Sequence, residues 1–212
     1  MADLQTMRAT IANYLANNSI SSEIDLAINR AIGHYSKQRF VFNMATATMS
    51  TVKSQESYGT SDGLPSNIQK IDLVTGLING SDLIIEPTQF TDIQYYNSRT
   101  TTIGIPYEYA LYEQKMWISP IPNDAYVLTI YYVKGYDSLA LDMSSNDFTT
   151  YAEDLIEGRA VWWLNSMVLD NDEGAARAKR LEQEALAELR DEYDNKYSTG
   201  ALQLNASYIN GC

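Results

Sequence analysis

The fold is decided by GIPYEYALYEQKMWISPIPNDAYVLTIYY, Gly104 to Tyr132. Tyr107, Tyr109 and Leu111 alternate with Glu108, Ala110 and Tyr112, the period-two pattern of a strand. Glu113-Gln114-Lys115 breaks the run, Met116 to Ser119 resumes it, and Pro120 to Asp124 breaks it again. Tyr126 to Val133 follows, dense in β-branched and aromatic residues. Strands separated by short polar turns predict a β-meander here.

Outward from this stretch the chain stays β on its N-terminal side. Ala45 to Val52 alternates, and Leu64-Pro65 opens a strand from Ile68 to Val74. Leu77 to Ile85 reads as a hairpin, because Asn79-Gly80 supplies the two positive φ values of a tight turn. Ile78, Asn79, Gly80 and Ser81 are its candidate tip, expected to be exposed and to point away from the helices. Pro87-Thr88 is expected to open a short helix through Phe90 and Ile93.

Both ends read as helix. Asp3 can cap a first helix whose Leu4, Met7, Ile11, Tyr14 and Leu15 form an apolar stripe. Ser22 and Asp25 resemble a capping box for a second, with Ile24, Ala27, Ile28, Ala31, Ile32 and Tyr35 inward. Asn146 or Asp147 is expected to start one long helix through Tyr151, Leu155, Trp162, Trp163 and Val168. After Asp170 to Gly174, a last helix runs to about Tyr193.

Neither helical pair can cover its own stripe, so the pairs are expected to close together, with Leu15, Ile28 and Trp162 in the core. The expected fold is α+β: a four-helix bundle from the N- and C-terminal pairs, an inserted antiparallel β domain and an extended C-terminal tail. The expected boundaries are residues 1–44, 45–140, 141–197 and 198–212.

Composition narrows function. The 212 residues carry 15 Lys and Arg against 27 Asp and Glu, a net charge of -12. A grip on nucleic acid needs basic residues to neutralise phosphates, and here they form no cluster in sequence. Tyrosine is abundant, at 16 residues, which suits either a β core or surfaces that are wet until covered. The one cysteine, Cys212, permits no internal disulfide. No signal-peptide pattern or membrane-length apolar run is visible.

The search for chemistry yields little. His34 is the one histidine and has no Ser or Asp set arranged with it in sequence. Asp170 to Gly174 looks like a calcium loop, but Ala175 stands where the required glycine would be, so the run reads as a turn and helix cap. Glu153, Asp154 and Glu157 offer the paired carboxylates of a glycosidase, or three acids complementing a helix dipole. No cofactor or metal is expected, and no catalytic residue is assigned.

The ordered set is more specific than its parts. Leu64-Pro65 precedes a strand, and a hairpin leads into Ile85-Glu86-Pro87-Thr88-Gln89-Phe90. Gly104-Ile105-Pro106-Tyr107-Glu108-Tyr109-Ala110, Ile118-Ser119-Pro120-Ile121-Pro122-Asn123 and Leu128-Thr129-Ile130-Tyr131-Tyr132 follow, then an acidic-start helix and a charged last helix. This order resembles the head-to-tail adaptor, or connector, proteins of tailed bacteriophages. The resemblance implies a structural virion protein, not an enzyme. It would be assembled in the host cytoplasm as a homo-oligomeric ring, commonly of twelve subunits, beneath the portal protein. The ring would extend the DNA channel, let double-stranded DNA pass without specific binding, and hold the next tail component, with no membrane involved.

The tail beyond Tyr197 matches no family motif. Leu202, Leu204, Tyr208 and Ile209 interrupt its polar composition as candidate anchors on the portal or a neighbouring subunit. The hairpin tip is the candidate site for the next tail component. The alternatives are a virion-associated cell-wall glycosidase using Glu153 and Glu157, and a stand-alone β-sheet binding module.

Overall fold

The structure, a computed structural model, describes residues 2–17, 19–78, 80–99 and 103–198. In chain order the elements are α1 (Leu4–Leu15), α2 (Ser21–Tyr35), β1 (Met44–Ser50), β2 (Ser57–Tyr58), β3 (Ile68–Ile78), β4 (Ser81–Pro87) and α3 (Phe90–Arg99). They continue with β5 (Ile103–Gly104), β6 (Glu108–Tyr112), β7 (Lys115–Ser119), β8 (Ile121–Pro122), β9 (Val127–Lys134), α4 (Asp147–Tyr151), α5 (Glu153–Met167) and α6 (Asp172–Ser198). The protein is α+β and forms two compact units. One holds the chain up to Phe42 and from Asp137 onward; the other runs from Asn43 to Tyr136.

In the helical unit, the Asp3 carboxylate accepts the Thr6 N–H at 2.8 Å, as a cap should. Two further amides of the first turn of α1 are met by carbonyls of the 141–144 loop, Leu4 N–H to Ser144 and Gln5 N–H to Asp142, each at 3.0 Å. Leu4, Met7 and Ile11 are buried, whereas Tyr14 is exposed and Leu15 only half-buried. On α2 the full stripe from Ile24 to Tyr35 is buried, with Ile28 at 0% exposure.

The expected Ser22/Asp25 capping box does not form; Ile20 occupies the N-cap with no side-chain hydrogen bond. Asp25 is engaged elsewhere. Arg8 of α1 donates to both its oxygens, at 2.6 and 2.8 Å, and to Asp142 at 2.9 Å. A bidentate charge-assisted pair outweighs a local cap.

The expected long helix after Asn146 is two helices. Asn146 caps α4 by accepting the Phe148 and Thr149 N–H groups. The Thr149 and Thr150 hydroxyls both donate back to the Asn146 carbonyl at 3.0 Å. Such side-chain bonds compete with continued helix, and Ala152 breaks the run at φ -140° before α5 begins. Trp162 is half-buried on α5, so the expected core position holds for Ile28 and not for Trp162 or Leu15. Asp170 to Gly174 is a helix–helix turn: Asn171 accepts the Gly174 N–H and donates to the buried Asn165.

The sheet unit departs from the expected antiparallel meander. Its seven strands run β1-β9-β3-β4-β6-β7-β2. The β4–β6 pair is parallel, as is the small β5–β8 pair, so the sheet is mixed. β6 and β7 form the expected antiparallel hairpin, turned by Glu113 and Gln114 at φ 51° and 58°. β9 does not pair with β7; it lies between β1 and β3. A strand as apolar as VLTIYYV gains most at the centre of a sheet, where both edges and one whole face are covered. Leu128, Ile130 and Tyr132 of β9 meet Met49, Val74, Ile85, Tyr109, Met116 and Ile118 in one core. The polar segment after Ser54 contributes β2 and the fully buried Tyr58, whose hydroxyl donates to the Gln55 carbonyl and accepts the Val52 N–H.

Pro87 ends β4 instead of opening a helix, and α3 begins at Phe90. Phe90 stacks on Tyr112 at 4.0 Å and meets Trp117 edge-on at 5.2 Å. This packing covers the second face of the β6–β7 hairpin, which is why Tyr109 and Ala110 are both buried although they point to opposite faces.

Candidate assembly surfaces

β3 and β4 pair antiparallel with Ile78 opposite Ser81, leaving the two-residue connection that Asn79-Gly80 predicts. Gly80 sits at φ +81°, where glycine is least strained. Ser81 and Gly80 are exposed; Asn79 and the Ile78 side chain lie outside the described residues, so the hairpin tip is only partly described. The arm candidates Leu202, Leu204, Tyr208 and Ile209 also lie outside them, as does Cys212.

The exposed face of the sheet adjoins that hairpin. Register places Ser50, Val127, Leu77 and Asp82 in one cross-strand row, and Thr48, Thr129, Thr75 and Ile84 in the next. Thr46, Tyr131 and Leu73 form a third. Leu77 and Ile84 are 52% and 53% exposed, Val127 is 45% exposed, and Asp82 is the one charged residue in the three rows. An exposed apolar patch on a sheet marks a surface that is covered in an assembly. The period-two runs Leu73-Thr75-Leu77 and Val127-Thr129-Tyr131 carry this face in the sequence, but only register places them side by side.

The helical unit holds two very different carboxylates. Glu182 of α6 is 2% exposed. It accepts hydrogen bonds from the Tyr35 hydroxyl, from Lys179 at 2.8 Å and from Arg159 at 3.3 Å. Burial pushes its carboxyl up, but the Lys179 and Tyr35 hydrogen bonds and the two cations outweigh that, leaving it below the usual range. Burial, then the Glu182 hydrogen bond, drives the Tyr35 phenol up.

Glu157 of α5 is the opposite case. One of its oxygens is buried with no hydrogen-bond partner. Burial, with Glu153 and Asp154 adding repulsion, raises it to about 7. Sequence reading treated Glu153, Asp154 and Glu157 alike as dipole-complementing acids, and the structure separates Glu157 from the other two. His34 is exposed on α2, and burial and the nearby Arg159 lower its pKa.

No helix among the described residues is long and apolar enough to cross a membrane. Leu73, Leu77, Ile84, Val127 and Tyr131 are exposed side by side on one sheet face, the kind of patch that marks an interaction surface. The model of the SU10 adaptor protein family matches residues 2–203, and the chain belongs to this family of bacteriophage head-to-tail adaptors. The protein is therefore a phage structural protein and a component of the virion. Among curated proteins none matches the chain.

Proposed function

We propose that the protein forms a ring, commonly of twelve copies, between the portal and the tail of a phage particle. The family match over residues 2–203 is the observation that carries this reading. The ring extends the DNA channel, and the net charge of -12 on each chain lets double-stranded DNA pass without being held. In each subunit α1, α2, α5 and α6 pack as a four-helix bundle. The tip of the β3–β4 hairpin, Ile78 to Ser81, meets the next tail component, and the sheet face beside it, whose three rows carry Asp82 as their one charge, supports that reading. Leu202, Leu204, Tyr208 and Ile209 anchor the C-terminal segment on the portal or a neighbouring subunit. Assembly takes place in the host cytoplasm.

Electron microscopy of the protein mixed with purified portal rings tests the proposal. Ring-shaped density added to one face of the portal is the expected result. Portals that remain bare at saturating protein would refute it. Shortening the hairpin between Leu77 and Leu83 should leave that density in place and block attachment of the next tail protein.

A further inference from the structure

Two oppositely charged concavities open on the helical unit. The first is a cavity of about 250 Å³, with Asp154 and Glu157 of α5 and Glu184 and Glu188 of α6 on its wall. Its floor is apolar, formed by Ile11, Val161 and Ala178, and no Lys or Arg among the described residues lines it. Tyr14 and Leu181 also line it and are exposed, at 48% and 45%.

The second is a groove of about 520 Å³ between α2 and α5. Arg30 and His34 lie one turn apart on α2, Lys37 follows in the turn just past its end, and Arg159 and Trp163 face them from α5. No acid lines it. The Arg30 guanidinium lies 4.7 Å over the Trp163 ring. His34 is held toward its neutral form and Arg159 is paired with Glu182, so the free charge comes from Arg30 and Lys37. Three of the 15 cations of an acidic chain are thus gathered in one acid-free groove.

At 3.6 residues per turn, Asp154, Glu157, Gly158 and Val161 lie on the side of α5 roughly 170° from Arg159 and Trp163. The acidic and basic surfaces are back to back on one helix. A symmetric dimer would set acid against acid or base against base. A head-to-tail contact sets acid against base and repeats, which is the geometry that closes into a ring.

We infer that these two surfaces are the two halves of an interface between copies of this chain, the basic groove of one subunit docking on the acidic cavity of the next. The inference rests on the ring proposed above and names its contact. Arg30 stacked on Trp163 is the aromatic–arginine pair that anchors interfaces. A cation from the next subunit would face Glu157, whose buried oxygen has no partner among the described residues.

Two charge-reversed proteins test this. In the first, Arg30→Glu and Lys37→Glu make the groove acidic. In the second, Asp154→Lys, Glu184→Lys and Glu188→Lys make the cavity wall basic, with Glu157 its one remaining acid. All five residues are exposed, so both proteins should melt as the unaltered chain does by circular dichroism. Ring formation is read by sedimentation, in solution and on purified portal rings. Each variant alone should lose at least about tenfold in assembly, because like charges now meet. An equimolar mixture should recover it, since the reversed groove of one accepts the reversed cavity of the other and the two native surfaces also meet.

Assembly of either variant alone at unaltered strength, or a folded mixture that does not recover, overturns the interface. If only the groove variant fails, and it also loses binding to duplex DNA, the groove is a phosphate site and the inference is wrong. If the unaltered chain forms no ring in solution or on portals, the ring reading falls and takes this interface with it. Rings formed equally by all proteins would remove the interface alone. As a separate readout, Lys37→Cys with Glu188→Cys in a Cys212→Ser background should give a ladder of disulfide-linked oligomers, and monomers only would count against it.

Discussion

Glu182 and Glu157 both enter the interior of the helical unit, and they end in opposite states. Glu182 is the more buried, yet its carboxyl is depressed, because Tyr35, Lys179 and Arg159 converge on it. Glu157 is less buried, yet it titrates near 7, because its neighbours are Glu153 and Asp154 and one oxygen has no partner. Burial raises both; the partners decide the sign. One carboxylate holds α2, α5 and α6 together. The other is a strained group beside an open cavity, the kind a neighbouring molecule can relieve.

The strongest test of this contrast removes the satisfied carboxylate. Glu182→Ala strands the Tyr35 hydroxyl and two cations, and should cost about 3 kcal/mol at pH 7, read by urea unfolding. The folded pKa is depressed, so this stability is present above the unfolded carboxylate range. It should disappear as the pH falls through the folded value. An unfolding midpoint that does not move would show that the network is ornamental.

Next comes the contact that sets the network in place. A Cβ on Gly158 would lie 3.0 Å from the Glu182 backbone nitrogen and 3.1 Å from its Cα. Backbone cannot swing aside, so Gly158→Ala should separate α5 from α6. Overpacking of this kind costs about 1–3 kcal/mol, against a gain of about 1 from helix propensity. A variant that melts higher than the unaltered chain would show that the helices do not approach so closely.

Glu157→Gln should act in the reverse direction. Because the folded carboxyl is raised to about 7, the native state takes up a proton that the unfolded state releases between its ordinary value and 7. Native stability therefore falls as pH rises through that window and stays reduced above it. The amide should raise stability at pH 8 by about 1 kcal/mol, allowing for partial exposure, and change nothing at pH 5. Equal effects at both pH values would remove the buried-charge account.

The smallest effect belongs to a surface pair. Glu173 and Arg177 approach to 3.5 Å on the exposed side of α6. Exposed pairs are screened, so Glu173→Ala should shift the midpoint by less than about 0.5 kcal/mol. A larger loss would mean that this side of α6 is covered.

Much of this was written locally. The Asp3 cap, the α2 stripe, the β3–β4 pairing of Ile78 with Ser81 and the ordered motifs from Leu64 to Tyr132 each depend on residues a few positions apart. A cap or a helical stripe is settled by near neighbours, so sequence alone determined them, and with them the family. Tertiary structure decided what depends on distant partners. Asp25 left its expected cap because Arg8, 17 residues away, offers two charged hydrogen bonds. β9 became a central strand because its apolar side chains needed cover from β1 and β3, not from β7. The sheet face with Asp82 as its one charge exists only once register aligns its rows. Glu182 and Glu157 look alike in the sequence. Tyr35, 147 residues from Glu182, helps make one of them structural, and periodicity within α5 or α6 carries no information about so distant a partner.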